Sequence, residues 1–192
     1  LDHSSLCGEC WFGVDFISSP MCDVTGLPLP YDSGGRQISA RALAARPVYD
    51  RARAATHFHS VSRSLIHGLK YGDRREALPL FGRWLAQSGK VLANESDLVI
   101  PVPLNRSRLW TRRFNQAALI GGELAKQTGL PINAMALKRH RATTSQVGLS
   151  ERQRRRNVSG AFRVNSRHRS LIENANILLV DDVLTTGATV DA

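Results

Sequence analysis

Ile177-Leu-Leu-Val-Asp-Asp-Val-Leu-Thr-Thr-Gly-Ala-Thr-Val190 decides how this chain is read. Four apolar residues run straight into two adjacent carboxylates, Asp181 and Asp182. The apolar run reads as a buried strand. After the acids comes a tight turn of small and hydroxylated residues: Thr185, Thr186, Gly187, Ala188 and Thr189. In an open α/β sheet, ligands gather beyond the carboxyl ends of the strands. A pair of carboxylates there accepts hydrogen bonds from a vicinal diol. Small residues let backbone N–H groups approach a ligand, threonines add hydroxyl donors, and a helix expected to begin near Ala188 would point its dipole at the same spot. Diol plus phosphate in one loop reads as a site for a ribose 5-phosphate.

Outward from this loop, alternation of strands and helices continues. Asp97–Leu104 is apolar and β-branched and reads as a strand whose ladder is confined by prolines. A basic loop comes next, then a helix over Asn115–Thr128 that stops at Gly129. Leu130–Leu137 reads as a short second strand, Arg139–Leu149 as a long loop, and Ser150 with Gln153 as a capping box opening a helix. Gly160–Val164 is a further strand candidate. Upstream, Tyr49 to about Gly89 reads as helical, broken at Lys70–Arg74. This order predicts an α/β fold with a parallel sheet and flanking helices.

The 192 residues carry a formal charge of +10, and the excess is local. Between Pro101 and Ser170 stand 15 Lys and Arg against Glu123 and Glu151 alone. A face so charged suits an anion: polyphosphate, nucleic acid or an acidic partner; a merely solvated basic face is the plainer alternative. No apolar run is long enough to span a bilayer and no secretory signal opens the chain, so a cytoplasmic protein with no membrane span is expected.

The first residues differ in character. Cys7, Cys10 and Cys22 are the chain's three cysteines, amid turn signals. Cys7-Gly-Glu-Cys10 is half of a zinc-knuckle pattern, Cys22 offers a third ligand, and Thr25 stands where a fourth cysteine would be expected. His3 is a fourth candidate. The alternative is a degenerate knuckle held by Trp11, Phe12 and Phe16. The pair His57 and His59 reads as ordinary surface or core histidine.

Leu178–Val190 resembles the phosphoribosyl pyrophosphate (PRPP) loop of type I phosphoribosyltransferases. Together with Ile100–Ala117 and Thr143–Phe162, in this order and behind a cysteine-containing N-terminal segment, it makes the chain similar to the ComF/GntX family of competence-associated phosphoribosyltransferase-like proteins. The resemblance implies that residues 1–48 form a cysteine-containing knuckle region. It implies that 49–192 form a type I phosphoribosyltransferase-like domain whose C-terminal part is missing. It assigns Asp181 and Asp182 to the ribose hydroxyls as the catalytic pair, and Thr185–Thr189 to the 5-phosphate. It assigns the region of Pro103, Leu104, Asn105 and Arg106, with Arg113, to pyrophosphate. Arg139–Phe162 becomes a mobile hood contacting PRPP through Thr144, Gln146 and Arg152. Mg2+ is implied with PRPP, and Zn2+ with the cysteines.

Two functions, from different classes, fit these features. One is phosphoribosyl transfer from PRPP to an acceptor, with release of pyrophosphate. The other is a non-catalytic accessory of DNA uptake, sensing PRPP or binding ssDNA or a competence helicase. Trp110 and Phe114 are the aromatic residues set among the arginines. The acceptor is not legible, and a homo-oligomer is compatible with either reading.

Overall fold

The structure is a computed structural model. It describes residues 6–144 and 148–192, with the side chains of residues 106 and 107 outside the description. The order is α1 (Gly8–Phe12), α2 (Ala40–Ala44), α3 (Ser60–Tyr71), α4 (Leu78–Ser88), α5 (Lys90–Asn94), β1 (Leu98–Pro101), α6 (Arg106–Arg112) and α7 (Gln116–Thr128). Then come β2 (Leu137–Arg139), α8 (Glu151–Val158), β3 (Phe162–Val164), a 3-10 helix (Ser166–Leu171) and β4 (Ile177–Val180).

The centre is a small parallel sheet. β1 pairs with β4 in register, Leu98 opposite Ile177 through Pro101 opposite Val180. The ladder is closed at one end by Asp97 N–H to Asn176 O (2.8 Å) and at the other by Val102 N–H to Val180 O (2.8 Å). On the far side of β1, Ile132 bridges Val99 in parallel, through Val99 N–H to Pro131 O and Asn133 N–H to Val99 O. Leu130–Leu137 therefore contributes a single bridge rather than the expected strand. Pro131 has no N–H to give, and Asn133 Oδ1 takes the N–H of Met135 into a turn.

Side chains alternate across the sheet, and both faces are covered. Val99, Leu178 and Val180 face a core built by Ile66 and Leu69 of α3, Leu78, Leu80, Phe81 and Trp84 of α4, and Ile120 and Leu124 of α7. Leu98, Ile100, Ile177 and Leu179 face a second cluster with Ala136, Leu137 and Ile172. Alternation is why these apolar strands carry no polar face.

α4 and α7 pack closely because Gly82 lets them. A Cβ there would lie 2.6 Å from Glu123 Cβ and 3.0 Å from its carbonyl carbon. α7 is capped by Asn115, whose Oδ1 accepts from Ala117 N–H at 3.1 Å, and it ends at Gly129 with φ +76°. Its buried face is Ala117, Ile120, Gly121, Leu124 and Ala125, turned away from Ala118. α8 carries the expected capping box: Ser150 Oγ accepts from Gln153 N–H, and Gln153 Oε1 accepts from Ser150 N–H.

Two segments depart from expectation for tertiary reasons. Residues 49–59 are irregular, not helical. Phe16 bridges Thr56, Ile17 N–H donates to Ala55 O, and His57 N–H donates to Asp15 O. The basic loop after β1 contains a helix, α6, whose arginines and Leu109 are good helix formers.

The cysteine-containing segment is packed onto the rest. Val14 belongs to the main core. Trp11, Phe16, Phe81 and Trp84 form one aromatic group, with Phe16 edge-on to Trp84 at 5.2 Å between ring centres. Cys22 is buried in a separate small cluster with Val24 and Ala42.

Candidate functional site

The site is assembled where β4 ends. Alternation carries on beyond Val180, so the two acids diverge. Asp182 turns toward α3 and pairs with Lys70 at 2.7 Å, both side chains largely buried. Asp181 turns to the other face, within electrostatic reach of Arg139 on β2, and its Oδ1 accepts from Asp182 N–H at 2.8 Å. Burial pushes the Asp181 carboxyl up to about 7 and the neighbouring Asp182 adds to the rise, while the Asp182 N–H, Lys70 and Arg139 oppose it. The pair is thus unequal: one carboxylate held by an ammonium, the other poised between protonation states near neutrality.

The turn beyond the acids is compact. Gly187 has φ +81°, a left-handed conformation that favours glycine, and its neighbour Ala188 is buried. Ala188 N–H donates to Thr186 Oγ1 at 3.4 Å. Val190 and Asp191 N–H both donate to Gly187 O, at 2.8 and 3.0 Å. The Asp191 bond has the i to i+4 spacing of a helical turn, but residues 188–190 are a turn, not the helix expected near Ala188. Thr185 is exposed, and Thr186 and Thr189 are half-buried. Tyr49 lies against Gly187, and Val48 N–H donates to Asp191 Oδ1 at 3.3 Å. The segment before α3 therefore straps this turn.

Two clefts reach the acids. One, of about 190 Å3, is bounded by Asp181–Leu184, Thr25–Pro28, Arg53–Phe58 and Trp84. The other, of about 430 Å3, runs along the outer edge of β4 and is bounded by Tyr49–Arg53, Leu85, Leu92 and Val190. Neither of these two clefts is bounded by Thr185–Thr189.

The segment after β1 lies beside the strand end. Pro103 is buried, and Leu104 and Asn105 are half-buried. Arg106 opens α6, its side chain outside the described residues. Arg113 closes that helix at φ +66°, its N–H donating to Leu109 O at 2.7 Å, and is exposed. Asn115 Nδ2 donates to Val102 O at 3.0 Å, tying the loop to the start of α7. Asn115 therefore serves the backbone around it.

The two arms of the predicted hood are tied together by a residue that sequence reasoning missed. Asn157 on α8 accepts from Thr144 N–H and Oγ1, both at 3.2 Å, and its Nδ2 donates to Thr144 O at 3.1 Å. Arg152 is exposed on the same helix. Gln146 lies outside the described residues. Lys70 and Arg139 were also missed. Lys70 sits in a segment that reads only as a turn, and Arg139 among many arginines, so neither carries a signal that separates it from its neighbours.

Cys7 and Cys10 lie side by side at the start of α1, and Cys22 lies in a separate buried cluster. Cys7 is exposed, and its Sγ accepts from Cys10 N–H at 3.5 Å. Cys22 is fully buried, and its Sγ accepts from Thr25 N–H at 3.5 Å and Ser39 N–H at 3.2 Å. Burial raises the Cys22 thiol, but the bonds from Ser39 and Thr25 outweigh it and bring the pKa to about 6. Among the described residues, no three His, Cys, Asp or Glu side chains are grouped to hold a metal ion. His3 lies outside the described residues. No helix among them is long and apolar enough to cross a membrane.

A mixed α/β protein thus presents an acidic pair and a threonine–glycine turn at the end of a parallel strand. Its sequence is 32% identical to DNA utilization protein YhgH of Salmonella typhimurium over 195 residues, 99% of this chain and 82% of that protein. It is 30% identical to DNA utilization protein YhgH of Escherichia coli K12 over the same shares. It is 30% identical to Competence protein F of Haemophilus influenzae over 98% of this chain and 82% of that protein. The chain belongs to this family, ComF/GntX. No family model and no solved structure matches it.

Proposed function

We propose that the chain binds PRPP and transfers its phosphoribosyl group to an acceptor, in a protein associated with DNA uptake. One observation carries the reading: Asp181 and Asp182 follow a half-buried parallel strand and lead, through Val183 and Leu184, into the Thr185–Thr189 turn with its left-handed Gly187. The two carboxylates would accept the ribose 2- and 3-hydroxyls, and the turn's N–H and hydroxyl groups would hold the 5-phosphate. The sugar C1 would then face the loop after β1 and the hood. Breaking the bond from C1 to the diphosphate oxygen leaves an oxocarbenium-like sugar. Both bonding electrons go to the diphosphate, and an acceptor lone pair forms the new bond to C1. Mg2+ enters with the diphosphate as part of the substrate and balances its charge. The hood, its arms held together by the Thr144–Asn157 bonds, would exclude water on closing over the site. The names of the relatives support the association with DNA uptake and competence.

Calorimetric titration with Mg-PRPP, beside an Asp181→Asn/Asp182→Asn variant, tests this. Binding by the wild type and its loss in the variant are expected. Failure of the folded wild type to bind would overturn the reading.

A second reading has its own observation. Trp110 is 86% exposed and Tyr71 is 72% exposed, with the Arg112 guanidinium 5.2 Å over the Tyr71 ring. Aromatic faces beside arginines form a stacking surface for single-stranded nucleic acid. In this reading the protein is a binding accessory of DNA uptake, with PRPP as a signal. Binding to oligothymidylate that falls steeply with salt and weakens in Trp110→Ala is its expected result.

A further inference from the structure

Lys70 brings a positive charge to the end of β4 from a different element. It stands in the last turn of α3, next to Leu69, which is fully buried in the main core. Its Nζ lies 2.7 Å from Asp182 Oδ2, and the two side chains are only 18% and 15% exposed. Among the described residues, Asp182 pairs with no other cation and Asp181 forms no ion pair. A lysine on a helix surface normally keeps its head in water, and fixing that head costs rotamer freedom. Here the head is withdrawn from water and spent on one acid of the candidate site.

The turn that carries Lys70 is braced from both sides. The next residue, Tyr71, accepts at its hydroxyl from Arg112 Nη2 at 3.4 Å, with the guanidinium 5.2 Å over its ring. Arg112 Nη1 donates to Gln116 Oε1 at 3.3 Å, and Gln116 is buried at the start of α7. The helix closes there, Gly72 N–H and Arg74 N–H both donating to Gly68 O at 2.8 and 3.2 Å. Lys70 is thus fixed between the core and the segment after β1. The other charged groups near the pair are differently placed. Arg139 of β2 acts on Asp181, in the same sense as Lys70, against burial and the neighbouring Asp182. Arg53 and His57 line the cleft that both acids reach, but Arg53 already serves Asp23, at 3.8 Å, and the carbonyls of Asp23 and Ala52. Two adjacent carboxylates repel, and burial works against their charged forms. A diol that donates one hydroxyl to each therefore needs a cation held close to the pair.

We infer that Lys70 is a positioning residue of the ribose site: its ammonium holds one oxygen of Asp182, leaves the second to accept from the sugar, and lends its charge to the acid pair. The inference rests on the PRPP reading and deepens it, naming a group that acts through the acids without touching the substrate. An ion pair that merely tied α3 to the sheet would serve stability alone. One that sustains the pair also sets the pH at which the site takes up its ligand. Removing Lys70 withdraws a charge that favours ionised Asp181, so Asp181 then ionises at higher pH.

The test uses the full chain and Mg-PRPP, by calorimetry at fixed ionic strength across the range from pH 6 to 9. Lys70→Met keeps the apolar stem, Lys70→Arg keeps the charge, and Arg83→Met, on the exposed side of α4, controls for loss of one positive charge. Wild-type affinity should rise with pH through about 7, as Asp181 ionises. Lys70→Met should bind about tenfold more weakly at pH 7, with its rise moved up by about one pH unit, so that the gap narrows toward pH 9. Lys70→Arg should keep the wild-type midpoint, and Arg83→Met should stay within about twofold at every pH. The ligand's own phosphates titrate alike in all four proteins, so differences between the profiles isolate the acids. If Lys70→Met does not fold, Lys70→Gln, uncharged but still able to donate to Asp182, takes its place with the same expected shift. A loss that is equal at every pH, or no loss, would overturn the inference. Either result leaves the PRPP reading standing where binding still requires Asp181 and Asp182. A folded wild type that does not bind Mg-PRPP overturns that reading and this inference with it.

Discussion

Asp181→Asn isolates the electrostatics of the acidic pair. Asparagine matches the carboxylate in shape and keeps an acceptor for the Asp182 N–H, now 2.8 Å from Asp181 Oδ1. The substitution removes the proton equilibrium. In the folded chain the Asp181 carboxyl titrates near 7, whereas an unfolded chain gives up that proton near pH 4. Between those values the folded state holds a proton that the unfolded state has released. Stability from this group is therefore complete below about pH 4, declines across the interval, and is gone above about 7. At about 1.4 kcal/mol per tenfold change in proton affinity, full expression would be worth about 4 kcal/mol. Asp181 is only half-buried, and solvent screens part of the effect, so about 2 kcal/mol is the expected size. Urea unfolding of both proteins from pH 4.5 to 8.5 measures it. The histidines titrate in both, so the difference between the two curves isolates Asp181. The variant should gain about 2 kcal/mol on the wild type between the two extremes, most of it below pH 7.5. A difference that stays flat with pH would refute the reasoning and show Asp181 ionised throughout.

Gly82→Ala should destabilise the chain by about 1–3 kcal/mol, read from the shift in the urea midpoint, because its Cβ would meet Glu123 at 2.6 Å. Better helix propensity returns about 1 kcal/mol of that at most. A neutral result would mean that α4 and α7 part easily. The thiols should separate by rate with a colorimetric disulfide reagent at pH 7.5. Cys7, exposed and with its pKa lowered by the bonds from Cys10, should react first, and Cys22 should react only on global or local opening, at least about a hundredfold slower. Rapid labelling of all three would place Cys22 at the surface, contrary to its burial.

The sequence by itself determined those features whose cause lies within a few residues. Apolar Ile177–Val180 makes a strand wherever it is buried, Ser150 and Gln153 close a capping box across one turn, and Asn115 and Gly129 bound α7 by their own backbone preferences. The acid pair and the Thr185–Thr189 turn are contiguous, so the core of the candidate site was legible before any fold was known. The tertiary structure alone decided which residues join across the chain. Residues 49–59 read as helical, yet Ala55–His57 pair with Asp15–Ile17 and the segment stays irregular. Alternation beyond Val180 sends Asp182 to Lys70 and Asp181 toward Arg139, so two identical neighbours become an ion pair and a titrating acid. Arg108 and Arg139 meet at Thr143 from different elements, and Asn157 latches Thr144 from α8. Such partners are separated by tens of residues. Their energies depend on burial and distance, which no local pattern encodes, and so one arginine among many could be singled out only once the sheet had brought it to the acid.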